Sequence, residues 1–123
     1  MGDIQSIDTK LGNIQDLMAS IKQLADGQLP DTTGDLYTAP ADTQVFVSAI
    51  VLVNTHTSSI NVNLFILPSG GNARRLIPPD MPFPSKYTLV YDDGITLDAG
   101  DKIRGDASVA DKVDYTISGV TQS

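Results

Sequence analysis

From Leu36 onward, short apolar stretches alternate with clusters of Gly, Pro, Asn, Asp and Ser. The clusters recur roughly every 8–12 residues, a rhythm that confines this region to short strands joined by turns. No strand–helix–strand alternation is present, so a parallel α/β sheet is not expected. The acids agree: all 15 are Asp and none is Glu. Asp bonds its own backbone in turns, whereas Glu suits helix interiors.

The individual strands can be read from the pattern. They are expected at 36–38, 44–54, 60–67, 73–77, 86–91, 95–97, 102–104 and 113–120. The stretch 44–54 is the strongest. Strict alternation puts Val45, Val47, Ala49, Val51 and Val53 on one face and Phe46, Ile50 and Leu52 on the other. Both faces are apolar, so this strand should be central. In 60–67, Ile60, Val62, Leu64 and Ile66 should point inward, with Asn61 and Asn63 outward. Four prolines between Pro78 and Pro84 imply an extended crossing over a sheet edge without ladder bonds.

A different rhythm precedes this region. Ile4, Ile7, Leu11, Ile14, Met18, Ile21 and Ala25 follow alternating steps of three and four, the heptad of a coiled-coil seam. Asp3 is a suitable N-cap and Gly27 a suitable stop, with Pro30 close behind, so a helix is expected over 3–26. Ile4, Leu11 and Met18 take position a; Ile7, Ile14 and Ile21 take position d. Ile at d disfavours parallel dimers, and Leu at a with Ile at d favours three or four strands. Leu17 and Leu24 widen the stripe. The seam proposed from these residues is Ile4, Ile7, Leu11, Ile14, Met18 and Ile21; the alternative is an ordinary amphipathic helix lying on the β-domain. The expected fold is therefore mainly β: an N-terminal coiled-coil helix followed by a jelly-roll-like antiparallel β-sandwich. The expected division is a coiled-coil helix at 1–26, a linker at 27–35 and the sandwich at 36–123.

Composition narrows the function. The net charge is −7, which disfavours nucleic acid as a partner, because that binding needs Lys and Arg to displace counterions from phosphate. No apolar run of about 18 residues exists, so no transmembrane helix or membrane partner is expected. Residues 1–25 carry an acid near their start, at Asp3, and are interrupted by polar residues, unlike a secretory signal. The chain has no cysteine, which removes disulfides, thiolate zinc sites and cysteine nucleophiles.

Chemistry-bearing residues are sparse. His56 stands alone in a polar turn, without the positioned partner a general base needs. A glycosidase needs paired carboxylates and usually sugar platforms, and the chain has no Trp. Asp92-Asp93 and Asp98…Asp101 offer oxygen ligands, but not at the spacing of the twelve-residue calcium loop. Arg74-Arg75 reads as a solvated edge, or as a spot that pairs with acids on a neighbouring subunit. Gly70-Gly71 lacks the Lys and Ser/Thr of a phosphate loop. No catalytic, cofactor or metal residue is expected, nor any enzymatic activity.

Several β motifs carry a resemblance. These are Leu36-Tyr-Thr-Ala-Pro-Ala-Asp-Thr43, the apolar strand Val47-Ser-Ala-Ile-Val-Leu-Val-Asn54, Gly94-Ile-Thr-Leu-Asp-Ala-Gly-Asp-Lys-Ile-Arg104 and Tyr115-Thr-Ile-Ser-Gly119. Residues 36–120 resemble small tailed-bacteriophage virion proteins of the head-fibre, capsid decoration and tail-fibre-like kind. The resemblance implies a trimeric β-sandwich that binds a virion surface. It implies a homotrimer with the major capsid protein or another virion protein as partner, located in the virion and assembled in the host cytoplasm. A capsid decoration (cement) or head-fibre role is expected first. A tail-fibre or receptor-binding module for a host glycan is the alternative, and it predicts exposed aromatics clustered at one end of the sandwich.

Overall fold

The computed structural model describes residues 21–122. Ten strands are present: β1 (Lys22–Gln28), β2 (Gly34–Thr38), β3 (Gln44–Asn54), β4 (Ile60–Leu67), β5 (Arg74–Arg75), β6 (Met81–Phe83), β7 (Thr88–Tyr91), β8 (Ile95–Leu97), β9 (Lys102–Ala107) and β10 (Val113–Gln122). All pairings are antiparallel and form two sheets. The first has the order β1-β10-β3, with β7 and β8 sharing the far edge of β3; the second has the order β2-β9-β4, with β5 and β6 sharing the far edge of β4. The mainly β, antiparallel expectation matches this architecture.

One core lies between the sheets. Val45, Val47, Ile50, Leu52 and Ile117 from the first sheet meet Leu36, Val62, Leu64 and Ile103 from the second, all buried. Leu29, Leu97 and Val113 complete it and are fully buried. As a two-sided apolar strand should, β3 is central, bonded to β10 on one edge and to β7 and β8 on the other.

Its faces differ from strict alternation. The buried residues of β3 are Val45, Val47, Ile50, Leu52 and Asn54, while Phe46, Ala49, Val51 and Val53 are not buried. Parity switches at Ser48. There Ser118 pairs with Ala49 and Gly119 with Val47, leaving Ser48 as the extra residue of a β-bulge. Its hydroxyl donates to the Ser118 carbonyl at 3.0 Å. Gly119 is what lets the strands close here: a Cβ on it would lie 2.1 Å from the Phe46 carbonyl oxygen.

The expected helix over 3–26 is corrected where it meets described residues. Lys22–Gln28 is a strand, not the end of a helix. Pairing with β10 overrides the local heptad rhythm. Ala25 lies opposite Ile117 and Gly27 opposite Tyr115, and Leu24 packs against the core. Of the proposed seam, Ile4, Ile7, Leu11, Ile14 and Met18 lie outside the described residues. Ile21 lies just before β1 and is 48% exposed.

The expected linker 27–35 is also corrected. Leu29 is fully buried, its N–H donates to the Val113 carbonyl at 2.9 Å, and the Pro30 carbonyl accepts from Ala107 at 2.9 Å. The segment is a bonded crossing from one sheet to the other, and among the described residues the sandwich already includes β1 from Lys22, ahead of residue 36.

The proline-rich segment differs too. Met81–Phe83 does form ladder pairs, Phe83 with Ile60 and Met81 with Val62. It is an edge strand, where an outward-facing N–H has no ladder partner to lose and proline is tolerated. The aspartates serve the turns as expected: Asp42, Asp80 and Asp111 adopt positive φ, a conformation Asp tolerates better than most residues.

Candidate functional site

The two outer faces of the sandwich have opposite chemistry. On the second sheet, outward residues of β2, β4, β5 and β9 form a polar mesh. The Lys102 ammonium and the Arg104 guanidinium each reach the Asp35 carboxylate at 2.8 Å. The bond from Lys102 contributes most to holding the Asp35 carboxyl below its ordinary pKa, with Arg104 assisting and partial desolvation opposing.

Asn63 lies at the centre of this face and is 7% exposed. Its amide donates to Asp106 at 2.8 Å and to Asp80 at 3.1 Å. Its Oδ1 accepts from the Arg75 guanidinium and from the Asp80 backbone N–H, each at 2.8 Å. Arg75 also lies over the Phe65 ring, 4.8 Å from its centroid. Asp35 is thus charge-paired with Lys102 and Arg104, whereas Arg75, Asp80 and Asp106 bond the neutral Asn63 amide. Arg74 and Arg75 are both exposed.

The outer face of the first sheet is apolar at its centre. Across β3 the register places Val51 between Val90 and Thr116, and Phe46 between Thr96 and Val120. Ala49 lies beside Ser118. No charged residue belongs to this set. The charged residues nearest it, Asp26 and Asp114, lie toward the β1 side, and Asp92 and Asp93 occupy the turn between β7 and β8. Phe46 is 48% and Val90 51% exposed. A depression of about 320 Å³ opens at one end of this face, lined by Ile21, Phe46, Val120 and Thr96 among others. Gly94, at φ +83°, is where the Phe46 ring rests: a Cβ there would lie 3.1 Å from the ring.

An antiparallel sheet with one solvated face ordinarily alternates apolar and polar residues. Within this set Phe46 and Val90 are exposed, Ala49 and Val51 are half-buried and Val120 is buried. Its residues can bury area against a partner; they offer no nucleophile, base or ligand atoms for chemistry.

The other sequence candidates have structural places. The His56 backbone N–H donates to Asn54 Oδ1 at 2.8 Å, and its carbonyl accepts from the Ser85 hydroxyl. Asp101 holds its own turn, accepting from the Ser69 and Asp98 N–H groups at 2.8 and 2.9 Å. Among the described residues, no group of three or more His, Cys, Asp or Glu side chains is placed to hold a metal ion. The exposed aromatics do not gather at one end. Phe46 lies near the start of β3, whereas Tyr87, 62% exposed, accepts through its carbonyl from Asn54 at the other end, at 3.0 Å.

Sequence reasoning missed two buried polar residues. Asn54 is 1% exposed and Asn63 is nearly as enclosed. It also missed that one apolar face of β3 stays uncovered by the second sheet. The signal for that was present, because a strand apolar on both sides in a two-layer fold has only one side to give to the core.

No family model matches the chain, and no curated protein matches it. Among solved structures, a chain from infectious bursal disease virus Gx strain is similar at a TM-score of 0.47 and 12% identity, covering 82% of this chain and 31% of that one. A chain from the Gt strain of the same virus is similar at 0.38 and 8% identity, covering 82% and 30%. The Anabaena sensory rhodopsin transducer is similar at 0.40 and 15% identity, covering 84% and 93%. This chain thus spans under a third of the viral chains. Overlaps at these scores carry no functional argument.

Proposed function

We propose that this protein is a non-enzymatic structural component of a phage virion. In this reading it is a homotrimer that decorates the capsid or forms a head fibre, held to the major capsid protein or another virion protein and assembled in the host cytoplasm. The observation that carries it is the contrast between the two outer faces. One is a polar mesh bonded largely within the chain; the other has exposed apolar residues, Phe46 and Val90, with its acids, Asp26 and Asp114, toward the β1 side. That is the equipment of association, not of catalysis. The strand orders support a jelly roll, since the ten described strands fall into two five-stranded sheets with β10 lying between β1 and β3. The phage-like motifs fall on its strands and turns: Gly94–Arg104 runs from β8 into β9, and Tyr115–Gly119 lies in β10. The heptad at Ile4–Ile21 supports three chains.

The test is imaging of intact particles with the protein present and with its gene deleted. The proposal expects added density on the head that disappears on deletion. Density on the tail instead would favour the receptor-binding alternative, and no difference would refute a virion role.

A further inference from the structure

We infer that Asp93-Gly94, in the turn between β7 and β8, is a site of spontaneous backbone isomerisation, at which the linkage passes through a cyclic imide to the isoaspartyl form. The inference is independent of the trimer and of any virion role. The chemistry is intramolecular. The Gly94 backbone nitrogen attacks Cγ of the Asp93 carboxyl; a C–N bond forms, and the carboxyl OH and the amide proton leave as water. Water then reopens the five-membered imide. Addition at the side-chain carbonyl restores Asp93. Addition at the main-chain carbonyl leaves Gly94 joined through the side chain, with one more carbon in the backbone. One water leaves and one returns, so no oxidant, reductant or cofactor is consumed. A side chain on the residue after Asp hinders the attack, whereas Gly has no Cβ to do so. Of the 15 acids, only Asp26 and Asp93 precede Gly.

The fold separates these two. Asp26 and Asp93 are both exposed, so access does not distinguish them; the attacking nitrogen does. Gly27 lies in β1 opposite Tyr115. Two residues on, the Leu29 N–H donates to the Val113 carbonyl at 2.9 Å. Ladder bonds of an antiparallel pair recur at every second residue, so the Gly27 N–H is bonded to the Tyr115 carbonyl. The Tyr115 ring also lies against Gly27, where a Cβ would be 3.1 Å from it. Attack at Asp26 therefore needs β1 to open. Gly94 lies between strands, after Tyr91 ends β7 and before Ile95 begins β8. Among the described residues, no hydrogen bond or ion pair engages the Gly94 N–H or the Asp93 carboxylate. The isoaspartyl product lengthens this turn by one carbon beside the Phe46 ring, which rests on Gly94.

The experiment ages the full-length chain at neutral pH, folded below its melting temperature and, in parallel, unfolded in urea. Isoaspartate is detected by methyl transfer from S-adenosylmethionine with an isoaspartate-specific methyltransferase. Tryptic peptides locate it, since 23–74 carries Asp26 and 87–102 carries Asp93; the isomers have equal mass, and electron-transfer fragmentation places the linkage. In the folded chain, isoaspartate at Asp93 should exceed that at Asp26 by at least about tenfold, the factor given by a local opening of β1 that costs about 1.4 kcal/mol. In urea the two sites should react at comparable rates. Asp93→Glu keeps the charge but would need a six-membered ring, so its peptide 87–102 should stay a single species. Equal isoaspartate at both sites of the folded chain would overturn selection by the fold. None at Asp93 in the folded chain, with both sites reacting in urea, would overturn the site. A folded-chain signal that survives Asp93→Glu would overturn it as well, by placing the chemistry elsewhere.

Discussion

Asn54 offers the sharpest test of how the sandwich is held together. It ends β3 and is 1% exposed. Its Oδ1 accepts from the His56 N–H at 2.8 Å. Its amide faces three carbonyl oxygens, those of Phe83 at 2.9 Å, Pro84 at 3.1 Å and Ser58 at 3.3 Å. One side chain thus joins the end of β3 to its following turn and to the crossing between β6 and β7. Asn54→Ala removes these bonds at about 1 kcal/mol each and leaves buried backbone groups short of partners, so the expected loss is about 2–4 kcal/mol. For a domain of this size that lowers Tm by roughly 10–20 °C.

Asn54→Asp is the more discriminating variant. It keeps the shape and the acceptor for His56, but turns a second oxygen toward three carbonyls. Burial and those dipoles both oppose the charged form, so the introduced carboxyl has a folded pKa above its unfolded value. The unfolded state then ionises first as pH rises, and stability falls through that range. At pH 7 Asn54→Asp should be less stable than Asn54→Ala. Near pH 4 it should recover part of the difference, because a protonated carboxyl can donate to one of the carbonyls. Urea unfolding at both pH values, at one protein concentration and against the wild type, measures this. An Asn54→Ala variant within about 0.5 kcal/mol of wild type, below the range for a lost buried bond, would refute the reasoning. So would an Asn54→Asp variant as stable as wild type at pH 7.

Other predictions follow from single sites. Gly119→Ala forces a Cβ against the Phe46 carbonyl and should cost about 2–3 kcal/mol, the upper range for overpacking. Gly70→Ala meets no atom within 4 Å but sits at φ +73°, so it should cost about 1 kcal/mol. Urea midpoints in the reverse order would refute the close approach at the bulge. Asp35, whose folded pKa is depressed by Lys102 first and Arg104 second, contributes stability above its unfolded pKa that is lost as pH falls through the acid range. Its exposure limits the effect to under about 1 kcal/mol, and Asp35→Asn should flatten the acid limb of a stability–pH curve. Tyr115 has its pKa raised by burial first and by Asp26 second, so its contribution is lost as pH rises past its ordinary value. Its hydroxyl reaches the Leu36 carbonyl only at 3.5 Å. Tyr115→Phe should therefore change stability little at pH 7 and soften the alkaline decline.

Most of the sandwich was legible because strands advertise themselves through period two and turn residues. The bounds expected for 44–54, 60–67 and 95–97 coincide with β3, β4 and β8. What was not legible comes from contacts distant in sequence. The bulge at Ser48 shifts the faces of β3, and nothing local announces it; only the tight approach of Gly119 does. Residues 22–26 suit a heptad by spacing, yet β10 offers an unpaired edge, and ladder bonds outweigh helical rhythm over so short a span. Pro82 reads as a breaker until its place on an edge strand is known. On the functional side, the two-sided apolarity of β3 points to a central strand. It is central, but burial on both edges is not cover on both faces, and Phe46 and Val90 show which face is left.

The proposed function has a homotrimer at its centre. The direct measurement is the mass of the full-length chain in solution by light scattering coupled to size exclusion. The account predicts three times 13.1 kDa, sustained on dilution through the micromolar range. A mass of 13.1 kDa at every concentration would contradict it.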